Sequence, residues 1–383
     1  MSSNVAPQQT YLQAINEALH EAMSSDPSVI CFGLGVDDPK SIFGSTRGLK
    51  EKFGGARVFD MPTSENAMTG VAIGAALNGV RPVMVHQRLD FFLLAMEQLV
   101  NNAAKWYYTF GRPVPVTIRL ILGRGWGQGP THSQSLHAWF AHIPGLTQKS
   151  VTCAEHCRLH HRAPKLGMCR LNWRLLSKVV MPSCAADAKG LLLSSIFDDN
   201  PVLFLEHRWL HESVGAVTQE RIPLGQARVL REGADLSIVA LSYMVAEVMH
   251  AVELLAQHDV DCELIEPRTV SPMDWDTILR SVRKTGRLLV LDTGALTGSV
   301  AGEIVARAAT ACWGHLRAAP LRIALPDAPE PASFGLTRGF HPRAEQIIDA
   351  VNSMLQVQVP TDALPASRTH PHDVPGTWFR GPF

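Results

Sequence analysis

Residues 60–91 read DMPTSENAMTGVAIGAALNGVRPVMVHQRLDF, and this stretch decides the fold class. Ser64 or Thr63 can cap a helix over the small and apolar residues that follow. A buried strand over residues 80–85 comes next. Glu65 falls in the first helical turn, where the positive end of the helix dipole favours a carboxylate. The stretch therefore predicts a helix-to-strand unit with an acidic residue at its start.

The helix that begins at Glu65 has a face of small residues. Gly70 and Gly74 are four positions apart among alanines, and small side chains let another surface approach the backbone closely. Either a tightly packed subunit interface or a bound ring would use such a face. The local pattern leaves a second interpretation open, in which Glu65 only supports the first turn of its helix.

Helix and strand patterns alternate along the rest of the chain. Residues 11–23 and 92–108 have helical spacing, whereas residues 28–36 and 114–122 are short apolar runs typical of buried strands. This alternation predicts an α/β fold with a parallel sheet covered on both faces. A chain of 383 residues is also long enough for two domains.

The pattern divides the chain into several parts. We assign residues 1–211 to a first domain, 212–228 to a polar linker and 229–356 to a second α/β domain. Residues 357–383 are rich in proline, histidine and glycine and are expected to form a loosely ordered tail.

Three blocks of the sequence resemble one family. They are RVFDMPTSENAMTGVAIGAALNGVRPVM at 57–84, LDFFLLAMEQLVNNAAKW at 89–106 and THSQSLHAWFAHIPGL at 131–146. Together they resemble the β subunit of the thiamine-diphosphate-dependent decarboxylase of 2-oxo acid dehydrogenase complexes, in the wider transketolase group. The resemblance spans most of the chain. It implies a pyrimidine-binding transketolase-like domain followed by a C-terminal transketolase domain.

The resemblance assigns roles to three residues. Glu65 matches the carboxylate that hydrogen-bonds the aminopyrimidine of thiamine diphosphate, and Phe91 matches the aromatic ring that packs against it. His132, expected at the start of a helix, matches the histidine that serves the carbonyl and carboxylate of the 2-oxo acid. Taken alone, Phe91 could equally be a core residue and His132 an ordinary helix residue. His137 and His142, farther along the same helix, are expected to be structural.

Asp198 and Asn200 lie in a DDNP turn before an apolar strand. They match positions that hold a monovalent cation such as K+ in some members of the family. A turn of this composition forms without an ion, so both interpretations stay open.

The resemblance also predicts partners, because the chain lacks the GDG motif with which the family binds diphosphate and Mg2+. A separate α subunit with that motif would complete the site in an α2β2 assembly, and the acyl group would pass to a lipoyl acyltransferase. Two alternatives remain: a split transketolase-type enzyme without a lipoyl partner, and a scaffold or regulatory subunit without catalysis.

An insertion at residues 147–177 interrupts the resemblance. It contains Cys and His residues, which are usual zinc ligands, but their interleaved spacing favours a surface insertion. The glycine-rich loop before His132 matches neither nucleotide-binding fingerprint.

The composition argues against nucleic acid and anionic membranes as partners and favours a cytoplasmic location. Basic and acidic residues balance at 35 each, which gives no electrostatic basis for binding nucleic acid or an anionic membrane. The seven cysteines, an odd number spread over a long chain, favour reduced thiols and a cytoplasmic location.

Overall fold

The computed structural model describes residues 6–144, 178–362, 364 and 368–381. The insertion expected at residues 147–177, with its candidate zinc ligands, lies outside these ranges. No helix of the described residues is both long and apolar enough to cross a membrane.

The first half of the chain alternates strands and helices, as the sequence predicts. Its strands are β1 Gln8–Thr10, β2 Val29–Gly33, β3 Val58–Asp60, β4 Arg81–His86, β5 Thr117–Leu122, β6 Lys178–Val180, β7 Val202–His207 and β8 Val214–Ala216. Its helices are α1 Tyr11–Ser25, α2 Leu49–Phe53, α3 Glu65–Leu77, α4 Leu89–Phe92, α5 Ala104–Phe110, α6 His137–His142 and α7 Ala185–Ile196.

Six of these strands belong to a seven-stranded sheet. The strand order is β12-β6-β7-β5-β4-β2-β3, in which the edge strand β12 (Thr269–Ser271) comes from the second half of the chain. All neighbours are parallel except β12, which pairs antiparallel with β6. The central strands β5 and β7 are buried along their whole length, as expected for a parallel sheet covered on both faces. The predicted α/β class is confirmed.

The second half forms a five-stranded sheet in the order β14-β13-β10-β11-β9. Its strands are β9 Arg228–Arg231, β10 Leu236–Ala240, β11 Cys262–Glu266, β13 Leu288–Ala295 and β14 Leu321–Leu325. Its helices are α8 Met244–Ala256, α9 Trp275–Thr285, α10 Val300–Ala311 and α11 Ala344–Leu355. Residues of both sheets share the two large apolar clusters of the core, so the two halves pack together.

The helix predicted over residues 92–108 forms as part of a continuous helical stretch, but it is not a regular α-helix. The chain instead forms a short 3-10 turn at Leu93–Ala95, a π-helical segment at Gln98–Ala103 and then α5. Within the wider turns, Asn102 Nδ2 donates to Gln98 Oε1 at 3.0 Å. Local widening of this kind leaves the apolar spacing nearly unchanged, so a pattern of hydrophobic residues does not reveal it.

The C-terminal tail, expected to be loosely ordered, is anchored over its described residues 368–381. Arg343 Nη2 donates to the carbonyls of His372 and Val374 at 2.8 and 2.7 Å, and Trp378 Nε1 donates to the carbonyl of Trp209 at 2.9 Å. Composition alone does not show these side-chain anchors.

Candidate active site at the sheet edge

The three residues singled out in the sequence follow three strands of the large sheet. Glu65 comes after β3, Phe91 after β4 and His132 after β5. These strands lie side by side and parallel, with only β2 between β3 and β4. The carboxyl ends of parallel strands meet at one edge of a sheet, and ligands of open α/β sheets bind outside that edge. The topology therefore directs all three segments to the same side of the molecule.

Glu65 is the first residue of α3 and is only 5% exposed. Its main-chain carbonyl accepts a hydrogen bond from Thr69 Oγ1 at 2.8 Å. Its carboxylate has no hydrogen-bond or ion-pair partner anywhere in the described part of the chain. Ser64 occupies the N-cap position but makes no side-chain cap, so the predicted capping bond is absent. The carboxylate is thus held at a helix start with its hydrogen-bonding capacity unused.

The small face of α3 is partly open. A Cβ atom added at Gly74 would meet nothing within 4 Å, and Val71 next to it is exposed. The opposite face, with Met68 and Ala72, is buried in the core. The geometry leaves room beside α3 for the neighbouring surface that the sequence suggests.

Phe91 and His132 are in contact although they are 41 positions apart. Their ring centroids are 5.2 Å apart with an interplanar angle of 86°, an edge-to-face arrangement. Phe91 is 40% exposed, so the alternative of an ordinary core residue does not hold. The structure brings together two of the three candidate residues.

His132 does not lie at the start of a helix, contrary to the sequence-based expectation. The helix α6 begins only at His137, and His132 belongs to the loop before it. Its main-chain N–H donates to the carbonyl of Gly129 at 3.3 Å, and its Nδ1 lies 3.1 Å from Thr131 Oγ1. Backbone turns in a glycine-rich stretch thus replace the first helical turn, and Nε2 is left available for a ligand.

Two residues that sequence reasoning missed hold this contact in place. Asp90, next to Phe91, accepts hydrogen bonds from the Nε2 and the main-chain N–H of Gln134 at 2.7 and 3.3 Å. Gln134 is two positions after His132. Asp90 lies in the block LDF beside Phe91, and Gln134 lies in the block THSQ close to His132. Their positions next to the two site residues are the sequence signal that could have identified them.

Arg88 is a third residue that the sequence did not single out. Its buried guanidinium donates to the carbonyl of Gly123 at 3.3 Å and to Gln128 Oε1. Burial lowers the pKa of Arg88 to about 10, although the charge of Asp90 acts in the opposite direction. Arg88 therefore ties the start of α4 to the glycine-rich loop.

His137 is a structural residue. It is fully buried, and its Nε2 lies 2.7 Å from Asp292 Oδ1 on β13 of the second half. Burial alone would raise the pKa of Asp292, but the charge and hydrogen bond of His137 outweigh it and lower that pKa.

The turn with Asp198 and Asn200 is held by its own polar groups and by two cationic side chains. Asp198 Oδ1 accepts from the main-chain N–H of Asn200 at 3.0 Å, and Oδ2 pairs with Lys178 Nζ at 2.5 Å. Its carbonyl accepts from Arg81 Nη1 at 3.0 Å. Asp198 Oδ2 and the Asp198 carbonyl thus each bind a cationic side chain, which disfavours K+ at these two oxygens. Over the ranges that the structure covers, no cluster of three or more His, Cys, Asp or Glu side chains is arranged to hold a metal.

Comparison with known protein families agrees with the fold and with the resemblance. The pyrimidine-binding domain of transketolase matches residues 7–212, and the transketolase C-terminal domain matches residues 225–347.

Individual relatives match over nearly their whole length. The chain is 37% identical over 357 residues to the β subunit of acetoin:2,6-dichlorophenolindophenol oxidoreductase from Cupriavidus necator, covering 90% of this chain and 96% of that protein. It is 34% identical over 369 residues to a mitochondrial pyruvate dehydrogenase E1 component subunit beta-1 from Oryza sativa, covering 94% and 90%. The corresponding β subunit from Rickettsia felis is 33% identical, with 91% and 99% covered.

A solved structure supports the same fold. A split-gene transketolase, described as an inactive β4 tetramer, superimposes with a TM-score of 0.66 at 18% identity and covers 91% of this chain and 98% of that chain. At this identity the likeness shows the fold alone. From the domain matches and the relatives, the chain belongs to the transketolase-like family of 2-oxo acid dehydrogenase E1 β subunits.

Proposed function

We propose that this chain is the β subunit of a thiamine-diphosphate-dependent 2-oxo acid dehydrogenase, acting on a 2-oxo acid together with an α subunit. The observation that supports this most is the unpaired, nearly buried carboxylate of Glu65. The residue is 5% exposed and no group in the described part of the chain hydrogen-bonds its carboxylate, so this position favours a ligand that donates a hydrogen bond. A ring nitrogen of an aminopyrimidine becomes such a donor when it carries a proton, which it can share with the carboxylate.

The residues at the sheet edge fit the aminopyrimidine half of the cofactor. Glu65 would hydrogen-bond the ring nitrogen and favour the tautomer that can remove a proton. Phe91 offers a half-exposed ring for stacking, which contributes about 0.5–1.5 kcal/mol beyond burial. When bound, thiamine diphosphate supplies the nucleophilic carbon and the electron sink for decarboxylation.

His132 would act on the substrate. Its Nδ1 is next to the Thr131 hydroxyl, so Nε2 is free to donate a hydrogen bond to the carbonyl oxygen or the carboxylate of a 2-oxo acid. Its edge contact with Phe91 limits the orientations of the imidazole. Asp90 and Gln134 would keep the two rings together during turnover.

An α subunit would supply the remaining half of the site. The chain lacks a GDG motif, and its Asn101-Asn102 pair lies in the π-helical segment, where Asn102 bonds within the helix. We therefore propose an α2β2 assembly in which the α chain holds the diphosphate and Mg2+. We also propose that a lipoyl acyltransferase accepts the acyl group in the cytoplasm. The turn of Asp198 and Asn200 serves as a structural turn in this proposal, without K+.

Reconstitution tests the proposal. The chain is co-expressed with a candidate α chain that has a GDG motif, and a panel of 2-oxo acids is assayed with an artificial electron acceptor. Calorimetry compares thiamine diphosphate binding by the isolated chain and by the complex. We expect Mg2+-dependent binding and turnover only in the complex, because charge-assisted contacts to the diphosphate provide most of the affinity.

Each alternative has its own outcome. Transfer of a ketol unit between sugar phosphates, without 2-oxo acid turnover, would favour another split transketolase-type enzyme. A stable complex that binds cofactor but has neither activity would favour a scaffold subunit. Tight, Mg2+-dependent binding by the isolated chain would contradict the half-site.

A further inference from the structure

The loop of residues 123–129, here called the glycine loop, contains a buried guanidinium of its own in addition to the contacts that it receives from Arg88. Arg124 is almost fully buried. Its Nη1 donates to Glu330 Oε1 at 3.2 Å and to the carbonyl of Pro331 at 2.8 Å, and its Nη2 donates to Asp373 Oδ2 at 3.1 Å. One side chain thereby joins the loop that leads to His132 to two segments more than 200 positions away.

The backbone of the glycine loop also packs closely against the second half of the chain. A Cβ atom at Gly127 would lie 2.8 Å from the carbonyl oxygen of Ala332, which is closer than a real Cβ atom comes. Glycine at this position lets the loop contact residues 330–332 directly. The glycine loop therefore packs directly against residues 330–332, next to the hydrogen bonds of Arg124.

The segment of residues 368–381, here called the C-terminal strap, presents Asp373 to Arg124 from a fixed position. Arg343 binds the carbonyls of His372 and Val374 on both sides of Asp373. His372 Nε2 also lies 2.8 Å from the carbonyl of Phe334. The strap follows residue 347, where the match to the transketolase C-terminal domain ends.

We infer that the C-terminal strap positions the active-site loop through the Arg124–Asp373 ion pair. A stretch with four glycines has a large conformational entropy to lose, and a buried guanidinium with three acceptors fixes it at one point. From Arg124 the chain runs through the glycine loop to His132 in eight residues. Neither Arg124 nor Asp373 contacts Phe91 or His132, so both are positioning residues. The link to turnover rests on the proposed function.

The variant Asp373→Asn tests this inference, because it removes the charge at a part-exposed residue of the strap and leaves Arg124 paired with Glu330. The matched control is Asp362→Asn, an exposed carboxylate nearby that has no partner in the described part of the chain. Hydrogen exchange is measured on the full chain for a peptide spanning residues 123–136. Its reporters are the hydrogen-bonded amides of Gly123, His132 and Gln134.

In Asp373→Asn we expect these amides to exchange about tenfold faster, because loss of a charged hydrogen bond lowers local stability. The peptide of α7 should be unchanged, and the control should match the wild type in both peptides. In the complex with the α subunit, kcat for a 2-oxo acid should fall about tenfold in Asp373→Asn, while the affinity for thiamine diphosphate stays constant.

The outcomes separate the inference from the proposed function. Unchanged hydrogen exchange in Asp373→Asn would contradict the inference that the C-terminal strap holds the glycine loop. Faster exchange with unchanged kcat would overturn its positioning role. If the wild-type complex turns over no 2-oxo acid, the proposed function fails, and the exchange comparison still decides whether the strap holds the loop.

Discussion

The sheet edge with Glu65 and the seam between the two halves of the chain differ in whether their titratable side chains form ion pairs. At the seam, charged side chains find partners across the domains, as in His137 with Asp292 and Arg124 with Glu330. At the sheet edge, the carboxylate of Glu65 and both ring nitrogens of the buried His86 have no partner in the described part of the chain. Arg124 and His137 at the seam each leave one buried nitrogen unpaired but keep their ion pairs, whereas the Glu65 carboxylate and the His86 ring have none and could accept or donate to a ligand. The comparison predicts that the largest loss of activity follows a change at Glu65, whereas breaking an ion pair between the two halves acts first on stability and only indirectly on activity.

The largest effect is expected at the edge, for Glu65→Gln. The amide keeps the shape and helix propensity of the side chain but cannot drive the tautomer, so kcat in the complex should fall ~10²–10⁴-fold. The melting temperature should stay within error of the wild type. Glu51→Gln is the control, because Glu51 is also a first-turn glutamate but is exposed on α2. Near-normal turnover in Glu65→Gln would show that the Glu65 carboxylate is not needed for catalysis.

The counterpart at the seam is Asp292→Asn. The substitution removes the charge of a buried carboxylate that accepts hydrogen bonds from the main-chain N–H groups of Gly294 and Ala301 and lies 2.7 Å from His137 Nε2, and we expect a loss of about 3 kcal/mol in the free energy of unfolding. Urea denaturation measures it, with the exposed Asp349→Asn on α11 as the control, expected to stay within about 0.5 kcal/mol. A stable Asp292→Asn variant would show that the seam does not depend on this pair.

A third test uses pH and His86→Leu. Burial lowers the pKa of His86 to about 3, so the folded protein keeps it neutral while the unfolded chain protonates it below the ordinary value of 6.5. The contribution of His86 to stability is therefore complete above pH 6.5 and is lost as the pH falls towards 3. His86→Leu should reduce the acid slope of the unfolding free energy by about 1.4 kcal/mol per pH unit in this window.

At neutral pH, His86→Leu should not lower stability, because no hydrogen bond is lost. His86→Gln is the control that keeps a buried polar group at this position. A less stable leucine variant at neutral pH would show that His86 has a partner at the edge after all.

The smallest effect concerns the cation. Replacing K+ by Na+ at constant ionic strength should leave the melting temperature unchanged, since Lys178 and Arg81 already neutralise the Asp198 turn. A ligand that binds only the folded state would raise it in proportion to the logarithm of its concentration. A K+-specific increase would show that the turn binds the ion despite these contacts.

The sequence predicts the edge better than the seam, and the reason is physical. Each edge residue follows its own strand within a few positions, so periodicity places Glu65 at the start of a helix and the resemblance places Phe91 after the next strand. The expectation that His132 starts a helix is wrong, because the backbone turn between Gly129 and His132 leaves no trace in the pattern of apolar residues. Seam contacts such as His137–Asp292 join residues 155 positions apart, and nothing in the local pattern of either residue reveals its partner. The same holds for the strap, whose composition suggests disorder while its side chains bind specific carbonyls.

The edge strand β12 has a consequence for synthesis of the protein. The large sheet forms from residues of the first half, yet its last strand, Thr269–Ser271, is made about 90 residues after its neighbour Lys178–Val180. As the chain leaves the ribosome, the free edge of β6 has unpaired main-chain groups until β12 arrives, and such edges pair readily with other chains. A nascent chain that ends at the linker should therefore self-associate, and co-translational aggregation should decline once residue 271 has emerged.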